Sequence, residues 1–430
     1  MINLSEVTIK YSVLFFLWTE YIWELYLSIR QFKKGLATTQ VPPELQSTVT
    51  KETFDKARLY MLARSRFGFV KDTVSIIIST VIIQFGVLAV IWDYARSFNS
   101  YGGEVLTSCI WFFILTTVLT IIDLPLTIYN TFVLEENFGF NKQTGAFFIW
   151  DKIKVFILSQ IFTMMISSVV VVTIKSGGEY FFVWLWLVVC IICFIMYTIY
   201  PSLIAPLFDK YTPLPDGELR TQIESLASQL KFPLTQLYVV EGSKRSSHSN
   251  AYFYGLFNSK RIVLFDTLLA KEDGTGCSNE EILAVLSHEL GHWHYNHITK
   301  NFIALQINLF LLFAAFAFEF KHPAIYKALG FYNSKPVLVG LYIVIQYVML
   351  PYNTLLSFIL TCLSRRFEFQ ADSFAVHLGK SEPLVNALIQ LNKDNLGFPV
   401  YDYLYSAWHH SHPPLLERID ALKKPHEKKE

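Results

Sequence analysis

The sequence predicts a mainly α-helical, polytopic membrane protein that also carries a sizeable polar domain. Two observations support this fold class. The 430 residues are 53% hydrophobic and only 17% charged, whereas soluble domains usually contain about 25% charged residues. Seven apolar stretches are long enough to cross a bilayer as helices, since a crossing takes about 20 residues. The formal net charge of +1 gives no electrostatic reason to expect nucleic-acid binding.

The seven predicted spans lie on both sides of a long polar section. An open loop or a sheet edge is not tolerated in hydrocarbon, so each span should be a helix. Pro125, Pro201 and Pro351 should kink or end the helices that contain them. The predicted spans are 11–29, 74–92, 105–129, 153–174, 180–203, 302–320 and 336–360.

The distribution of lysine and arginine predicts how the spans are oriented. These residues are abundant in 29–71, in 209–301 and near the C-terminus. They are sparse in the loops 93–104 and 176–179. By the positive-inside rule the basic sections are cytosolic, which makes the N-terminus lumenal or external and the C-terminus cytosolic. The predicted lumenal loop 321–335 conflicts with this pattern because it contains three lysines.

Several polar side chains fall inside the predicted spans, where facing lipid would be unfavourable. They could line a wet interior enclosed by the helices. Alternatively, they could form hydrogen bonds between helices, as polar residues in bundles often do. The sequence leaves both interpretations open. The residues are Glu20, Glu24, Gln84, Asp123, Gln160, Gln306, Asn308 and Gln346.

An HExxH pattern lies in the polar section, within the segment 287–297. On a helix, His288 and His292 share one face because they are four residues apart. Both imidazoles can then bind one Zn²⁺ ion, which leaves a position open for water. Glu289 is placed to take a proton from that water. The alternative is a solvated, histidine-rich helix.

The helix around this pattern is well specified by the sequence. Ser278 and Glu281 can form a capping box at its start. Gly291 lowers helix stability by about 1 kcal/mol relative to alanine, and close packing behind the metal would offset this loss. His294 and His297 do not share the face of the two other histidines, so we interpret them as ordinary polar residues.

The remainder of the polar section predicts a small mixed domain. The elements are a helix over 219–230 and strands over 237–240, 250–254 and 261–265, the last two joined by a loop containing Gly255 and Asn258. Strand, strand and then the metal-binding helix is the core order of a zincin-like α+β metalloprotease domain. In such a site an exposed strand edge can bind substrate as an added strand.

The segment 364–372, which follows the last span, offers a third metal ligand. On a helix, Glu368 and Asp372 share a face. Glu368 would complete a His₂Glu site with water, as in thermolysin-like enzymes. Asp372 could accept a hydrogen bond from the outer nitrogen of a ligand histidine. The alternative for both carboxylates is a surface ion pair with Arg365 or Arg366.

The C-terminal segment contains two more candidate site residues, His412 and Arg418. A histidine or an arginine near a zinc site can stabilise the oxyanion that forms at the attacked carbonyl. The spacing of these two residues alone does not distinguish this role from that of ordinary surface residues. The tail 423–430 is charged, and we expect it to be disordered.

Four motifs, together with the seven spans, resemble those of the type 1 CaaX prenyl proteases. These are endoplasmic-reticulum zinc metalloproteases that process farnesylated a-factor and prelamin A. The motifs are HELGH, SKRSSHSNAYFYG at 243–255, SRRFEFQAD at 364–372 and SHPPLLER at 411–418. The resemblance implies seven transmembrane helices that enclose a water-filled chamber, capped by the metalloprotease domain on the cytosolic side. It also implies removal of the three C-terminal residues that follow a prenylated cysteine, with a second upstream cleavage in some substrates.

The resemblance also implies roles for individual residues. His288, His292 and Glu368 would bind Zn²⁺, and Glu289 would be the catalytic base. Four groups of residues are then expected: metal ligands His288, His292 and Glu368; catalytic residues Glu289, His412 and Arg418; substrate-binding residues Asn250, Ala251 and Tyr252; and Asp372 as the partner of a ligand histidine.

The expected organisation follows from the spans and motifs. The domains are 1–208 with the first five membrane helices, 209–301 with the cytosolic zincin-like fold, 302–361 with helices six and seven, and 362–430 with the rest of the metalloprotease domain and the tail. The resemblance implies the endoplasmic-reticulum membrane, with the inner nuclear membrane as a second candidate. The C-terminal lysine pair is one place too close to the end for a dilysine retrieval signal. The expected partners are a prenylated CaaX substrate and membrane lipid, and we expect a monomer.

Two other functions remain open from the residues alone. A broad-specificity membrane quality-control metalloprotease would share the HExxH pattern and the third glutamate, although such proteins usually have fewer spans. A non-enzymatic transporter or receptor would be defined by its seven spans, and its HExxH pattern would be accidental or structural. Stoichiometric zinc in the purified protein would distinguish an enzyme from a receptor.

Overall fold

Long helices make up the N-terminal half of the chain in the computed structural model, which describes residues 5–100, 102–255, 259–271 and 274–424. Ser5, Thr50 and Thr144 are N-caps whose hydroxyl groups accept a backbone N–H three residues further on. The helices are α1 (Glu6–Ala37), α2 (Lys51–Gln84), α3 (Val87–Phe98), α4 (Glu104–Tyr129), α5 (Gly145–Ser176) and α6 (Phe181–Ile199).

Five helices in the described part of the chain are long and apolar enough to cross a membrane. They are Lys51–Gln84, Glu104–Glu135, Gly145–Ser176, Gly178–Ile199 and His297–Glu319. A sixth candidate is the pair Val337–Val348 and Leu350–His377, which is bent by 62°. Helix α1 has 32 residues but contains Glu20 and Glu24, and it is not among these candidates. The multi-span helical fold is therefore confirmed, and length and composition support five or six of the seven predicted spans.

The predicted span 74–92 is wrong in its bounds. Helix α2 begins at Lys51 and ends at Gln84, and Gly86 then takes a φ of 63° before α3 begins. That left-handed conformation is readily available to glycine. A Cβ at Gly86 would also lie 3.3 Å from the backbone oxygen of Leu329. The break in the helix therefore depends on a contact with a distant segment.

The three prolines in the predicted spans have different effects. Pro125 lies inside α4 and does not end it, and a π-helical turn, Asn130–Glu135, follows. Pro201 lies in the π-helical turn Tyr200–Ile204 that ends the α6 span. Pro351 is in the first turn of the helix that follows the 62° bend. Pro201 and Pro351 therefore act as the sequence predicts, and Pro125 does not end its helix.

The polar section folds as a small sheet and flanking helices. Its elements are β1 (Tyr211–Pro213), α7 (Glu218–Gln229), β2 (Leu234–Val240), β3 (Ala251–Tyr254), β4 (Lys260–Phe265) and α8 (Asn279–His294). The strand order is β1-β2-β4-β3. Strands β2 and β4 are parallel, and the other two pairings are antiparallel. The three strands and the helix predicted in this section all form, with slightly shifted bounds; Asn258 of the predicted loop lies outside the described residues.

The chain then passes through further membrane helices and ends in helices that pack against the polar section. The remaining helices are α9 (His297–Glu319), α10 (Pro323–Ala328), α11 (Val337–Ile343), α12 (Leu350–His377), α13 (Ser381–Asp394), α14 (Tyr403–His409) and α15 (Leu415–Lys423). A single hydrophobic core joins Ile223 of α7, Leu264 of β4 and Leu286 of α8 to Phe374 of α12 and Ala387 of α13. The polar section and the C-terminal helices therefore share one folded unit, although two membrane segments separate them in sequence.

A cavity of ≈ 1050 Å³ lies between the membrane helices and the C-terminal segment. Glu20, Glu24, Asp123 and Gln346 line it. Their position fits the interpretation in which polar residues line an interior enclosed by the helices, although Glu20 and Glu24 also accept hydrogen bonds from Thr354 of α12 and Trp408 of α14.

The other interpretation applies to two of the remaining polar residues. Gln160 hydrogen-bonds to Thr116 at 3.0 Å, and Asn308 accepts a hydrogen bond from Tyr352 at 3.0 Å. Each pair joins two different helices. Polar residues in the spans therefore serve both purposes, and Glu20 and Glu24 combine them by lining the cavity and bonding to other helices.

Candidate metal centre

Helices α8 and α12 cross at very short range. A Cβ at Gly291 would lie 3.0 Å from the Cα of Ala371, so glycine permits the approach. The N-terminus of α8 is fixed by the predicted capping box, in which Ser278 and Glu281 each bond to the backbone of the other. The crossing brings the HExxH face of α8 against the face of α12 that carries Glu368.

Three side chains meet at this crossing with ligand atoms within 4.8 Å of one another: His288, His292 and Glu368. The Nε2 atoms of the two histidines are 3.2 Å apart. Nε2 of His288 lies 3.4 Å from Oε2 of Glu368, and Nε2 of His292 lies 3.3 Å from Oε1. A tetrahedral zinc ion with ligands about 2.0–2.1 Å away separates those ligands by about 3.3–3.4 Å. The three side chains are therefore spaced as zinc ligands.

Without a cation between them, the polar atoms of this group would repel one another or lack hydrogen bonds. Two imidazole lone pairs that face each other repel unless a cation or a proton lies between them. Glu368 is 2% exposed, and no hydrogen bond of good geometry from a described residue reaches its Oε2 atom, although Nδ1 of His412 lies 2.9 Å away. A buried carboxylate oxygen without a hydrogen bond is unfavourable. The two histidines and the glutamate can hold a divalent cation, which would satisfy all three.

Glu289 lies beside the candidate metal ligands on α8; its side chain is partly exposed, but the surrounding protein excludes most of the water from its carboxyl group. Burial raises the pKa of its carboxyl group above the ordinary value, and the nearby His288 and His292 oppose the shift. A carboxylate with a raised pKa is a better proton acceptor, as a general base requires.

Asp372 and Arg418 support the outer side of His288. Nδ1 of His288 donates to Oδ1 of Asp372 at 2.8 Å. Arg418 donates to both oxygens of Asp372, from Nη2 at 2.6 Å and from Nε at 2.9 Å. Asp372 is 2% exposed and Arg418 is 9% exposed. Asp372 therefore holds His288 with Nε2 unprotonated towards the metal position, and Arg418 fixes Asp372.

The alternative surface ion pairs for Glu368 and Asp372 do not account for their positions. Both carboxylates are buried. Arg365 instead forms its ion pair with Glu417 at 2.5 Å.

His412 lies on the open side of the group. Its Nδ1 atom is 2.9 Å from Oε2 of Glu368, while its side chain is 70% exposed. The exposed imidazole can reach a substrate bound at the metal position. Arg418, in contrast, is buried against Asp372 and contacts Glu368 only at 3.9 Å.

The candidate substrate-binding residues begin the edge strand of the sheet. Asn250 precedes β3, and its backbone oxygen accepts the N–H of Phe265 in β4. Ala251 and Tyr252 pair with Leu264 and Val263. Strand β3 contacts α8 and is the last strand on its side of the sheet. Its outer edge is therefore placed to accept another strand beside the HExxH helix.

The interpretation of His297 as an ordinary polar residue is wrong. His297 is 2% exposed, and its Nδ1 atom lies 2.9 Å from Nδ1 of His292. Helical spacing gave no signal for this contact because the helix is interrupted: Asn296 has a φ of 56°, and α9 begins at His297. The positive φ at Asn296 turns His297 back towards His292. His294, by contrast, is exposed.

A multi-span helical protein with an HExxH helix and a third glutamate at one metal position is a membrane metallopeptidase in its class. Comparison with known proteins defines the family. A model for the CAAX prenyl protease N-terminal region, five membrane helices, matches residues 31–210, and a model for peptidase family M48 matches residues 213–426. The chain belongs to the CAAX prenyl protease family of M48 metallopeptidases.

The relatives match this chain along nearly their whole length. The CAAX prenyl protease 1 homolog of Homo sapiens is 48% identical over 456 residues, which cover 97% of this chain and 96% of the relative. The homolog of Mus musculus is also 48% identical, with the same coverage. The crystal structure of Ste24p from S. mikatae matches with a TM-score of 0.91 and 36% identity, covering 96% of this chain and 99% of that one.

Proposed function

We propose that this protein is a zinc endopeptidase that removes the three C-terminal residues of prenylated CaaX proteins, with a second upstream cleavage in some substrates. The observation that carries the proposal is the convergence of His288, His292 and Glu368 at zinc-ligand spacing. The substrate class rests on the relatives, which are named CAAX prenyl proteases. A broad quality-control protease or a transporter would not account for this family membership.

In the proposed reaction three side chains bind the metal ion, and Glu289 accepts and then donates a proton. Zinc, when bound by His288, His292 and Glu368, polarises the substrate carbonyl and lowers the pKa of water towards about 7. Glu289 takes the proton of the attacking water. It then delivers a proton to the leaving amine, which breaks the peptide bond. Asp372 keeps His288 oriented throughout.

We assign the oxyanion contact to His412 rather than to Arg418. His412 is exposed next to Glu368, so its outer nitrogen can face a bound carbonyl. The guanidinium of Arg418 is already committed to both oxygens of Asp372. Arg418 acts instead by holding Asp372, and its removal would affect metal binding before it affected the oxyanion.

The peptide would bind as an added strand on the outer edge of β3. Asn250, Ala251 and Tyr252 lie at the start of this strand; the backbone oxygen of Asn250 already accepts the N–H of Phe265, so the outward-facing backbone groups begin at Ala251. Main-chain hydrogen bonds would hold the substrate, and alternate side chains would enter pockets. The cavity lined by Glu20, Glu24 and Asp123 would receive peptide segments beyond the site.

The chain is organised, in this proposal, as predicted from the sequence. Residues 209–301 and 362–430 form one zincin-like unit, which the shared core of α7, α8, α12 and α13 supports. Residues 1–208 and 302–361 form the membrane part, and α1 serves as the seventh span. Its length of 32 residues exceeds the crossing requirement, and Glu20 and Glu24 face the cavity instead of lipid.

The protein would reside in the endoplasmic-reticulum membrane, or in the inner nuclear membrane, with its N-terminus lumenal and its C-terminus cytosolic. The basic segments 29–71 and 209–301 support this orientation through the positive-inside rule. Every candidate ligand comes from one chain, so a monomer would suffice for catalysis.

Incubation of the purified full-length protein with a farnesylated CaaX peptide tests the proposal. We expect release of the C-terminal tripeptide, loss of the activity with a chelator, and its recovery with Zn²⁺. The same peptide without the farnesyl group is the control for substrate class. Equal cleavage of unprenylated, misfolded membrane protein would favour the quality-control function. Absence of stoichiometric zinc from the purified protein would contradict the proposal that it is a zinc enzyme.

A further inference from the structure

Buried His297 and partly buried Gln370 form a series of contacts behind His292. Nδ1 of His297 lies 2.9 Å from Nδ1 of His292, and Nε2 of His297 lies 3.0 Å from Oε1 of Gln370. The ring of His297 stacks on Phe367 with centroids 4.0 Å apart and an interplanar angle of 9°. The imidazole is therefore held in one plane, with both nitrogens directed at protein partners.

The need for His292 to bind a metal fixes the positions of the ring protons of His292 and His297. Nε2 of His292 must present a lone pair to bind a metal, so the ring proton of His292 lies on Nδ1. That N–H can donate only if Nδ1 of His297 accepts. The proton of neutral His297 then lies on Nε2, from which it donates to the carbonyl oxygen of Gln370. The reversed arrangement would place the proton of His292 on Nε2, towards Glu368, and would block the metal.

We propose that His297 and Gln370 are positioning residues that fix the tautomer of His292 and so set the affinity of the site for zinc. This inference rests on the proposed metal site but not on the proposed substrate. The two ligand histidines are then supported differently. His288 donates to the carboxylate of Asp372, whereas His292 donates to a neutral imidazole that is itself oriented by an amide.

Removal of the hydrogen-bond partner of a metal-binding histidine typically lowers metal affinity by about 10–100-fold. His297→Leu removes the acceptor and should lower the affinity for Zn²⁺ within this range. Asn is the conservative substitution because its side-chain oxygen can replace Nδ1 as the acceptor. His297→Asn should therefore recover most of the affinity. The measurement is competition between a chelator and the full-length protein in detergent, with Zn²⁺ as the probe.

Gln370 supplies a test that depends on tautomers and not on packing alone. In Gln370→Leu, His297 loses its Nε2 acceptor and can move its proton to Nδ1, which opposes the metal-binding form of His292. Zinc affinity should fall by about 10-fold or more. An asparagine at position 297 has no ring tautomer to choose. Gln370→Leu should therefore leave the affinity unchanged when His297→Asn is already present.

The double-mutant comparison decides the proposal even if His297→Leu does not fold. Loss of affinity from Gln370→Leu in the native background but not in the His297→Asn background supports it. An equal loss in both backgrounds, or no loss in the native background, overturns it. His294→Leu and His294→Asn are matched controls, since His294 is exposed on the same segment and stacks on Phe374. They should leave zinc affinity unchanged.

Discussion

The two carboxylates of the candidate metal centre and the carboxylate of Asp123 in the membrane cavity occupy opposite environments within one chain. Glu368 and Asp372 are each 2% exposed and face histidine or arginine within a few ångströms. Asp123 lines the cavity, is exposed, and within the described residues accepts a hydrogen bond only from Thr127, one turn away on its own helix. A buried charge requires partners, whereas an exposed charge keeps its hydration. The two buried carboxylates are therefore fixed in position, and we expect Asp123 to tolerate change; Glu20 and Glu24 differ from Asp123 because they accept hydrogen bonds from Thr354 and Trp408.

Glu289, the proposed catalytic base, should give the largest effect. Glu289→Gln keeps the size of the side chain but cannot accept a proton, so peptide cleavage should fall by about 10²–10⁴-fold or more. Zinc content should not change, because Glu289 is not among the three ligands. Tripeptide release and metal analysis on the same preparation measure both. Glu280→Gln, on the exposed start of the same helix, is the matched control, and retained cleavage in Glu289→Gln would refute its role.

The paired carboxylate behind His288 should give the next largest effect. Asp372→Ala leaves the buried guanidinium of Arg418 without its partner, which typically destabilises a protein by about 3–5 kcal/mol. Zinc affinity should fall by about 10–100-fold as well. The cavity counterpart, Asp123→Ala, should change stability by less than about 0.5 kcal/mol. Thermal unfolding in detergent measures the stability of both variants. Similar losses of stability in Asp372→Ala and Asp123→Ala would contradict the contrast between the two sites.

Two glycines extend the comparison from charge to packing. A Cβ at Gly291 meets the backbone of Ala371 at 3.0 Å, whereas a Cβ at Gly68, beside the cavity, meets nothing within 4 Å. Gly291→Ala should therefore destabilise the protein by about 1–3 kcal/mol and weaken zinc binding by separating α8 from α12. Gly68→Ala should be neutral or stabilise α2 by up to about 1 kcal/mol. Unfolding midpoints and zinc titration test both, and a neutral Gly291→Ala would argue against a tight crossing.

Local spacing predicted the central part of the candidate site from the sequence. His288, Glu289 and His292 lie within one turn of a helix, so helical geometry alone brings the histidines together. Glu368 and Asp372 were found because they too share a helical face. The close contact between these two helices could only be inferred indirectly, from a glycine at position 291 that weakens its own helix.

The features that sequence analysis missed depend on tertiary contacts. His297 meets His292 because Asn296 adopts a positive φ, which breaks the helical periodicity on which the prediction relied. The break at Gly86 depends on contact with Leu329, more than two hundred positions away. Helix α1 carries Glu20 and Glu24 at positions that line a cavity, and it is not among the span candidates that length and composition support. The deciding feature is a local break in the helix for His297 and a partner remote in the chain for Gly86.

Helix α12 has a mechanical consequence for the whole enzyme. It runs without interruption from Leu350, just after the 62° bend, to His377. At 1.5 Å per residue, Glu368 lies about 27 Å along this rod, so a swing of about 5° at its base would shift the glutamate by about 2 Å. Metal coordination tolerates only about 0.2 Å. A catalytic fragment excised from its lipid-embedded half would keep the contact between α8 and α12 but lose the fixed base of this rod, and we expect Glu368 to be aligned less closely with the two histidines.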